Sequence, residues 1–333
     1  MNLTGRRRRP SLHERLDALE RRLASLSGGL EKRLDKRVTG LRREVAELRK
    51  VADDIDRNVQ AILRRQALDE LGAPYPQRLL AQRWRGLSHQ EEDGLTLAVL
   101  AEIGTPTRRA VEIGCGTNGG NSGVLASDFG FDCLMLDAAP WCTEATARLS
   151  PQTITAVTRA ITAGNVNATL SEHGFTGEVD LVSIDVDSVD YWVWDALEAV
   201  APRLVIAEYN SAFGARRALT LPERTDLDRD ALPAALRGLW FGASLQAFAR
   251  VAARKGYRLV AVTPPGVNAY WVRDDLAPQL PALDVERAWR SLHKLEETHR
   301  EIDPQLRVEP LLAAFAERGY TVVDLDAAGS PAA

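Results

Sequence analysis

Val111-Glu112-Ile113-Gly114-Cys115-Gly116-Thr117-Asn118-Gly119-Gly120 is the stretch of this sequence that decides its fold. It follows a predicted strand and opens a predicted helix. Glycine lets a backbone turn sharply and approach a ligand without a Cβ in the way. Gly114, Gly116 and Gly119 spell G-x-G-x-x-G, which is the fingerprint of dinucleotide-binding sheets. The stretch therefore predicts a loop that holds a nucleotide-like ligand.

Asp137 supports this interpretation of the glycine loop. It ends the next predicted strand, 23 residues after Gly114. A carboxylate in that place can accept hydrogen bonds from ribose hydroxyls. A tight turn without any ligand is the alternative, and the acid in register with the loop makes it the weaker one.

The sequence around this stretch predicts an α/β fold. From about Leu95, short apolar runs alternate with amphipathic stretches, as expected for strands and helices around a parallel sheet. Strands are predicted at 109–114, 131–137, 154–157, 181–185, 204–209, 257–263 and 268–273, and helices at 243–255, 284–301 and 310–318. Only four residues, Pro264 to Val267, separate the last two strands. Because that is too short for a helical crossover, these strands should be antiparallel neighbours.

The N-terminal part of the chain has the pattern of a coiled coil. Apolar residues recur at alternating spacings of three and four, except for three successive fours between Leu26 and Val38. The seam consists of Leu16, Leu19, Leu23, Leu26, Leu30, Leu34, Val38, Leu41, Val45, Leu48, Ala52, Ile55, Val59 and Ile62. One isolated helix would leave this seam in water, so we expect a homo-oligomer formed through residues 12–62. A charged helix folded back on its own domain is the alternative.

Charge divides the chain in the same place. Residues 1–66 carry 18 Lys and Arg against 10 Asp and Glu, a net charge of +8, whereas the remaining residues carry −12. We expect a basic tail and coiled-coil helix at 1–66, a helical connection with a loop at the cavity mouth at 67–108, a core at 109–275 and a helical extension at 276–333. The run Arg6–Arg9 is expected to be a solvated tail.

Composition excludes several classes of protein. No apolar run approaches the roughly 20 residues that span a bilayer, and no export signal is expected. No nucleic-acid partner is expected, because residues 1–74 lack any aromatic side chain for base stacking. The three cysteines are too few and odd in number for a disulfide framework, so a reducing cytoplasm is the expected location.

Two features argue against a dinucleotide-binding enzyme. They are Glu112, two residues before the first glycine, and the antiparallel last strand pair. Together they resemble class I S-adenosylmethionine-dependent methyltransferases. In that family the glycine loop packs against the methionine part of the cofactor, and the acid after the second strand binds its ribose. Carried over, the resemblance implies that S-adenosylmethionine is bound by Glu112, Gly114, Cys115, Gly116, Asn118, Asp137, Ala138 and Asp185.

A closer resemblance covers about residues 88–275. The segments Ser88–Gly94, Ser183–Trp194 and Glu208–Asn210 are similar to those of FkbM-like methyltransferases and their relatives in saccharide and natural-product pathways. The resemblance implies a saccharide or a glycosylated small molecule as the acceptor. Two departures bear on the substrate: Ser188 stands where a glycine is usual, and Gly119-Gly120-Asn121 replaces a more acidic or amide-rich loop.

Two predicted neighbouring strands end in polar side chains. Asp185 and Asp187 follow one strand, and Glu208 and Asn210 follow the next. Their oxygens should converge beside the cofactor, because ligands bind outside the carboxyl ends of parallel strands. Asp185, Glu208 and Asn210 resemble in placement the metal ligands of Mg²⁺-dependent O-methyltransferases, so Mg²⁺ is a candidate cofactor. Helix capping by an Asp and pairing of Glu208 with an arginine are the alternatives.

Three residues are candidates for accepting the proton of a reacting hydroxyl. Asp185 or Glu208 could act as the base if burial raises its pKa. His89, before the Gln-Glu-Glu-Asp-Gly segment, is the candidate for a base at neutral pH, with a solvent-facing loop histidine as the alternative. The resemblance therefore implies methyl transfer to a hydroxyl. A coiled-coil scaffold with a degenerate methyltransferase domain and an NAD-dependent oxidoreductase are the rival functions.

Overall fold

The computed structural model describes residues 12–70, 72, 74–223, 229–291 and 307–327. The chain divides into two compact units, Met1–Val59 and Gln60–Ala333. The predicted tail at Arg6–Arg9 lies outside the described residues. No helix in the described part of the chain is long and apolar enough to cross a bilayer.

One long helix, α1 (Leu12–Glu70), makes up the described part of the first unit and continues into the second. Where its seam is described, the apolar side chains are exposed, from 41% at Val38 to 67% at Leu48. The predicted helix is therefore present, with its apolar stripe in water.

The second unit contains a seven-stranded sheet. Its strands are β1 (Arg109–Ile113), β2 (Asp132–Asp137), β3 (Ile154–Thr158), β4 (Gly177–Ile184), β5 (Val200–Glu208), β6 (Tyr257–Val262) and β7 (Asn268–Arg273). The spatial order is β3-β2-β1-β4-β5-β7-β6. Strands β1 to β5 pair in parallel, and β7 runs antiparallel between β5 and β6. The mostly parallel α/β sheet with a reversed last strand is confirmed.

Helices cover both faces of the sheet. They are α2 (Gln77–Leu80), α3 (Glu92–Ile103), α4 (Gly123–Ser127), α5 (Pro140–Thr146), α6 (Val166–Glu172), α7 (Asp190–Ala196), α8 (Ala234–Arg237), α9 (Leu245–Lys255), α10 (Val285–Ala288) and α11 (Val308–Ala316). Successive β1 residues point to opposite faces: Val111 joins the core beneath α7 and α9, and Ala110 joins the core beneath α3 and α4. Burial on both faces explains why these strands appear as continuous apolar runs.

The predicted helix boundaries need two corrections. The helix expected at 243–255 begins at Leu245, because the Ser244 side chain accepts a hydrogen bond from the Ala247 backbone N–H and caps it. The helix expected at 284–301 begins with a single turn, α10, after which the backbone at Trp289 leaves the helical region with ψ at 138°. Residues 292–301 of that prediction lie outside the described residues.

A third apolar cluster contains a feature that the sequence did not predict. A two-stranded antiparallel sheet joins Leu219–Thr220 to Val323–Asp324. Trp240 and Phe315 pack edge to face beside it, with ring centroids 4.7 Å apart. The C-terminal segment therefore packs on the insertion that follows β5.

Candidate functional site

Four neighbouring strands end at the same level of the sheet. Ile113 of β1 pairs with both Leu136 of β2 and Ile184 of β4, and Ile184 pairs with Ala207 of β5. The next residue of each strand therefore stands at one edge. These residues are Gly114, Asp137, Asp185 and Glu208. Ligands of open α/β sheets bind at such an edge.

A cavity of about 500 Å³ opens at this edge, within the usual size of a small-molecule site. All four strand-end residues line it. Further lining residues are His89, Gly116, Ala138, Arg159, Asp187 and Val189. Two rims can be distinguished: the β1–β2 rim contains the glycine loop and Asp137, and the β4–β5 rim contains Asp185 and Glu208.

Gly114 packs the two rims together. A Cβ at this position would lie 1.6 Å from the backbone oxygen of Asp185, and φ is +92°. The Gly114 backbone N–H donates to the Leu136 carbonyl oxygen at 2.8 Å, which ties the loop to β2. Only glycine meets both the left-handed backbone and the close approach.

Glu112 lies behind the glycine loop. Its fully buried carboxylate accepts hydrogen bonds from the Asn121 backbone N–H at 3.1 Å and the Ser122 hydroxyl at 2.6 Å. A Cβ on Gly120 would lie 2.1 Å from Glu112 Oε1. Burial raises the pKa of Glu112 to about 7. Glu112 is not among the lining residues, so this predicted cofactor ligand shapes the loop from behind.

Asp137 closes the β1–β2 rim. Its Oδ2 accepts from the Gly116 backbone N–H at 3.0 Å, and its Oδ1 accepts from the Ala139 backbone N–H at 2.8 Å. Each oxygen keeps a second acceptor position. Asp137 and Ala138 both line the cavity, as the sequence predicts for residues beside a ribose.

Cys115 and Asn118 do not line the cavity. Cys115 is fully buried, and burial raises the pKa of its thiol to about 12, so it packs instead of reacting. Asn118 Nδ2 donates to the Leu87 carbonyl oxygen at 2.5 Å and so joins the glycine loop to the segment that contains His89. These two predicted cofactor ligands therefore support the structure of the glycine loop and do not face the cavity.

An acidic cluster, defined as Asp185, Asp187 and Glu208, forms the β4–β5 rim. One carboxylate oxygen from each lies within 4.8 Å of the others. The carboxyl groups of Asp185 and Glu208 are close neighbours in this cluster. Burial, and then the neighbouring carboxylates, raise the pKa of both groups well above the usual range. The fold therefore places three carboxyl groups close together, and two of them, Asp185 and Glu208, are partly buried.

The amide of Asn210, a predicted metal ligand, is fully buried and already hydrogen-bonded within the turn after β5. Its Nδ2 donates to the Leu239 and Phe241 carbonyl oxygens, both at 2.8 Å, and its Oδ1 accepts from the Ala212 backbone N–H. Asp187, which was not among the predicted ligands, supplies the third carboxylate of the acidic cluster.

Asp190 was not predicted, although it continues the spacing Asp185-x-Asp187-x-x-Asp190. Its carboxylate accepts from the Val186 and Ser188 backbone N–H groups at 2.7 and 2.9 Å. Burial raises its pKa to about 6. It holds the turn that gives Asp187 a φ of +58°, where the exposed Asp187 side chain meets Arg229 Nη1 at 3.4 Å.

His89 lies at the mouth of the cavity with an exposed side chain. Asp93 Oδ2 holds its loop by accepting from the Gly86, Leu87 and Ser88 backbone N–H groups at 2.6 to 2.9 Å. The predicted base is therefore at the mouth, and the predicted carboxylates are inside.

The acidic cluster fits a hard divalent cation. Its donors are all carboxylate oxygens, which Mg²⁺ and related ions prefer. Glu208 Oε2 is buried without a hydrogen-bond partner, which is costly for an acceptor unless a cation or proton satisfies it. Asp187 already pairs with Arg229, whereas the adjacent carboxyl groups of Asp185 and Glu208 form no such ion pair among the described residues and need a proton or a cation.

The strand order supplies the remaining observation about the fold. Two sets of parallel strands diverge between β1 and β4, and the reversed β7 is inserted beside β5. This is the sheet with a reversed hairpin that the resemblance implies. The seven-stranded, mostly parallel sheet is that of a Rossmann-like α/β fold, as predicted. The cavity lies at the carboxyl ends of its parallel strands.

No protein-family model and no curated protein sequence match the chain. Solved structures similar to it include the methyltransferase domain of bacterial CtHen1-C, with 14% identity, 55% of this chain and 97% of that chain covered, and a TM-score of 0.35. An O-methyltransferase from Bacillus cereus in complex with SAH has 14% identity, coverages of 63% and 96%, and a TM-score of 0.35. The N-terminal domain of EvdMO1, in the presence of SAH and D-fucose, has 12% identity, coverages of 57% and 85%, and a TM-score of 0.37. These likenesses are weak.

Proposed function

We propose that the protein transfers a methyl group from S-adenosylmethionine to a hydroxyl of a saccharide or a glycosylated small molecule, assisted by Mg²⁺. One observation carries the proposal: a single cavity joins a glycine rim with an acid suited to ribose and a rim of three clustered carboxylates. The first rim suits the cofactor, and the second suits a reacting hydroxyl.

The β1–β2 rim would bind the cofactor. The backbone at Gly114 and Gly116 has no Cβ to obstruct the methionine part, and Asp137 has acceptor positions for two ribose hydroxyls. Glu112 acts from behind the loop by fixing Asn121 and Ser122. Cofactor binding therefore depends on a preformed backbone and on one cavity-lining acid.

The β4–β5 rim would manage the proton of the acceptor. In methyl transfer the hydroxyl oxygen attacks the methyl carbon in line, the carbon–sulfur bond breaks with its electrons going to sulfur, and the hydroxyl proton leaves. Most of the rate comes from positioning and from the group that accepts this proton. Burial and mutual repulsion raise the pKa values of the neighbouring Asp185 and Glu208, and a raised pKa makes a carboxylate a better proton acceptor.

Mg²⁺ would be held by Asp185, Asp187 and Glu208, and it would lower the pKa of a bound hydroxyl. The donor set and the unpartnered Glu208 Oε2 support this assignment. His89 at the mouth is the second candidate for accepting the proton. The saccharide class of the acceptor is supported by the resemblance of residues 88–94, 183–194 and 208–210 alone.

An oxidoreductase function has less support from the residues that line the cavity. Among the described residues that line the cavity there is no Tyr or Lys to serve a hydride transfer. Lys255 donates to the Leu197 carbonyl oxygen at the opposite end of β5. A scaffold without activity would not require the acidic cluster.

Formation of S-adenosylhomocysteine tests the proposal without knowledge of the acceptor. The protein is incubated with S-adenosylmethionine, Mg²⁺ and a panel of free sugars, nucleotide sugars and glycosylated aglycones. We expect acceptor-dependent product that disappears with a chelator and in Asp185→Ala. Product in the Asp185→Ala variant at the normal rate would remove Asp185 from the mechanism.

Self-association through α1 belongs to the same proposal, since its apolar side chains are exposed over the described seam. We also place the protein in a reducing cytoplasm. This is supported by Cys115, Cys133 and Cys142, which are all unpaired and buried.

A further inference from the structure

An unbroken heptad repeat runs along α1 from Val38 to Ile62. Its a positions are Val38, Val45, Ala52 and Val59, and its d positions are Leu41, Leu48, Ile55 and Ile62. The seven large side chains of this set are 41% to 67% exposed. A strict seven-residue repeat predicts a left-handed supercoil with another helix.

We propose that a second copy of the chain covers this seam in a parallel, in-register, two-stranded coiled coil. The inference deepens the self-association proposed above and is independent of methyl transfer. Valine at a with leucine at d favours two parallel strands, and Val38, Leu41, Val45 and Leu48 follow that rule in successive turns.

The flanking charges support the parallel arrangement. In a parallel pair, a g residue faces the e residue of the next heptad on the other helix. Glu44 at g then faces the partner's Arg49 at e, an attraction that occurs twice by symmetry. Arg37 faces the partner's Arg42, which is the one repulsive set. All four side chains are exposed and available to a partner.

Antiparallel pairing is less favourable in both of its main alignments. Centred between Val45 and Leu48, it places Arg42 opposite the partner's Arg49, and Asp35 opposite the partner's Asp56. Both sets repel.

Centred on Lys50, antiparallel pairing gains one attraction, from Arg42 to the partner's Asp56. It places Arg49 opposite the partner's Arg49 and Arg37 opposite the partner's Arg65, so two sets repel. The parallel pair has the best balance of charge.

Mass in solution is the first test. Light scattering of the full chain should give twice the 36.6 kDa of one chain. Leu48→Glu, at a d position, should weaken the dimer by at least about 100-fold, because it would bury an unpaired charge. Ala46→Glu is the matched control, with the same added charge on the outer b position, and should stay dimeric.

Cysteine cross-linking is the second test, and it reads the orientation. The three native cysteines are buried, so an engineered cysteine is the reactive one. Leu41→Cys and Ile62→Cys, each alone and with a mild added oxidant, should both form covalent dimers. In a parallel pair each position faces itself, whereas in either antiparallel pair it lies several turns from itself. Arg43→Cys, on the outer face, is the control and should not cross-link.

Each outcome decides something. A monomer would overturn self-association and this inference together. A dimer in which neither Leu41→Cys nor Ile62→Cys cross-links to itself would overturn the parallel register while leaving self-association in place. A trimer or tetramer, which isoleucine at d would favour, would overturn the two-stranded assignment.

Discussion

At the β1–β2 rim, the carboxylates of Glu112 and Asp137 accept hydrogen bonds from backbone N–H groups and a hydroxyl. At the β4–β5 rim, Asp185 and Glu208 instead lie beside each other, and one oxygen of Glu208 is buried without a hydrogen-bond partner. The first rim is complete as the chain folds. The second rim needs a proton or a cation to neutralise its carboxylates. Carboxyl groups with perturbed pKa values of this kind are common at functional sites.

The comparison predicts that the largest effect arises where the two rims touch. Gly114→Ala should destabilise the protein by about 3 kcal/mol or more and abolish cofactor binding, because the new Cβ would collide with the Asp185 carbonyl 1.6 Å away. Thermal unfolding and calorimetry with S-adenosylhomocysteine measure both effects.

Gly174→Ala is the matched control for backbone strain. Its φ of +74° is similar, but a Cβ there would meet no atom within 4 Å. We expect a cost of about 1 kcal/mol and unchanged cofactor affinity. Equal losses in the two variants would mean that the contact between the rims contributes nothing.

The β4–β5 rim should control turnover more than cofactor affinity. Glu208→Gln should lower kcat by about 100-fold, because the amide cannot accept the hydroxyl proton or bind Mg²⁺ as a carboxylate does. Affinity for S-adenosylhomocysteine should change by less than about threefold. The exposed Glu198→Gln serves as the control and should leave kcat unchanged. A normal kcat in Glu208→Gln would separate this rim from the chemistry.

The β1–β2 rim should show the reverse. Asp137→Ala should weaken S-adenosylhomocysteine binding by about 10- to 100-fold, because hydrogen bonds to a charged acceptor contribute about 1.5 to 3 kcal/mol. The fold should survive, since Asp137 is only half-buried at the cavity edge. Unchanged affinity would assign the ribose to another residue.

Stability should depend on pH through the second rim. A carboxyl group whose pKa is raised in the folded state binds more protons when folded, so its stabilising effect is greatest at acid pH and is lost as pH rises. The free energy of unfolding of the metal-free protein should therefore decline as pH rises above about 4, where carboxyl groups of the unfolded chain ionise, and that of Glu208→Gln should decline less. Mg²⁺ should restore stability at the alkaline end. A steeper decline in the variant would contradict the raised pKa values.

His89→Gln should have the smallest effect, a fall in kcat of about tenfold or less, because His89 lies exposed at the mouth and the carboxylates lie inside. Cofactor affinity should be unchanged. A loss as large as that of Glu208→Gln would transfer the proton-accepting role to His89.

The sequence predicted the sheet well, because its buried strands are apolar runs separated by glycine and proline. It placed the starts of β4 and β5 four residues late, since the polar residues Gly177 to Asp180 and the Pro202–Arg203 pair interrupt the apolar pattern. The small sheet at Leu219–Thr220 escaped prediction because its partner strand lies about 100 residues away. Such a pairing depends on tertiary contacts and leaves no local pattern.

Within the site, register explains what the sequence could predict. Gly114, Asp137, Asp185 and Glu208 each follow an apolar run, so their convergence could be inferred from the parallel sheet alone. Asn210 and Asp187 could not be distinguished in this way. Asn210 is held in a turn by carbonyl groups some 30 residues away, and Asp190 fixes the turn that gives Asp187 its left-handed backbone beside the other two carboxylates.

Calorimetry of the purified protein with S-adenosylmethionine, S-adenosylhomocysteine and NAD, each with and without Mg²⁺, tests the central claim most directly. We predict that the two adenosyl sulfur ligands bind and NAD does not, with the Asp137→Ala variant binding both more weakly. Binding of NAD alone would assign the glycine loop to an oxidoreductase. If none of the three ligands bound, the methyltransferase account would be contradicted.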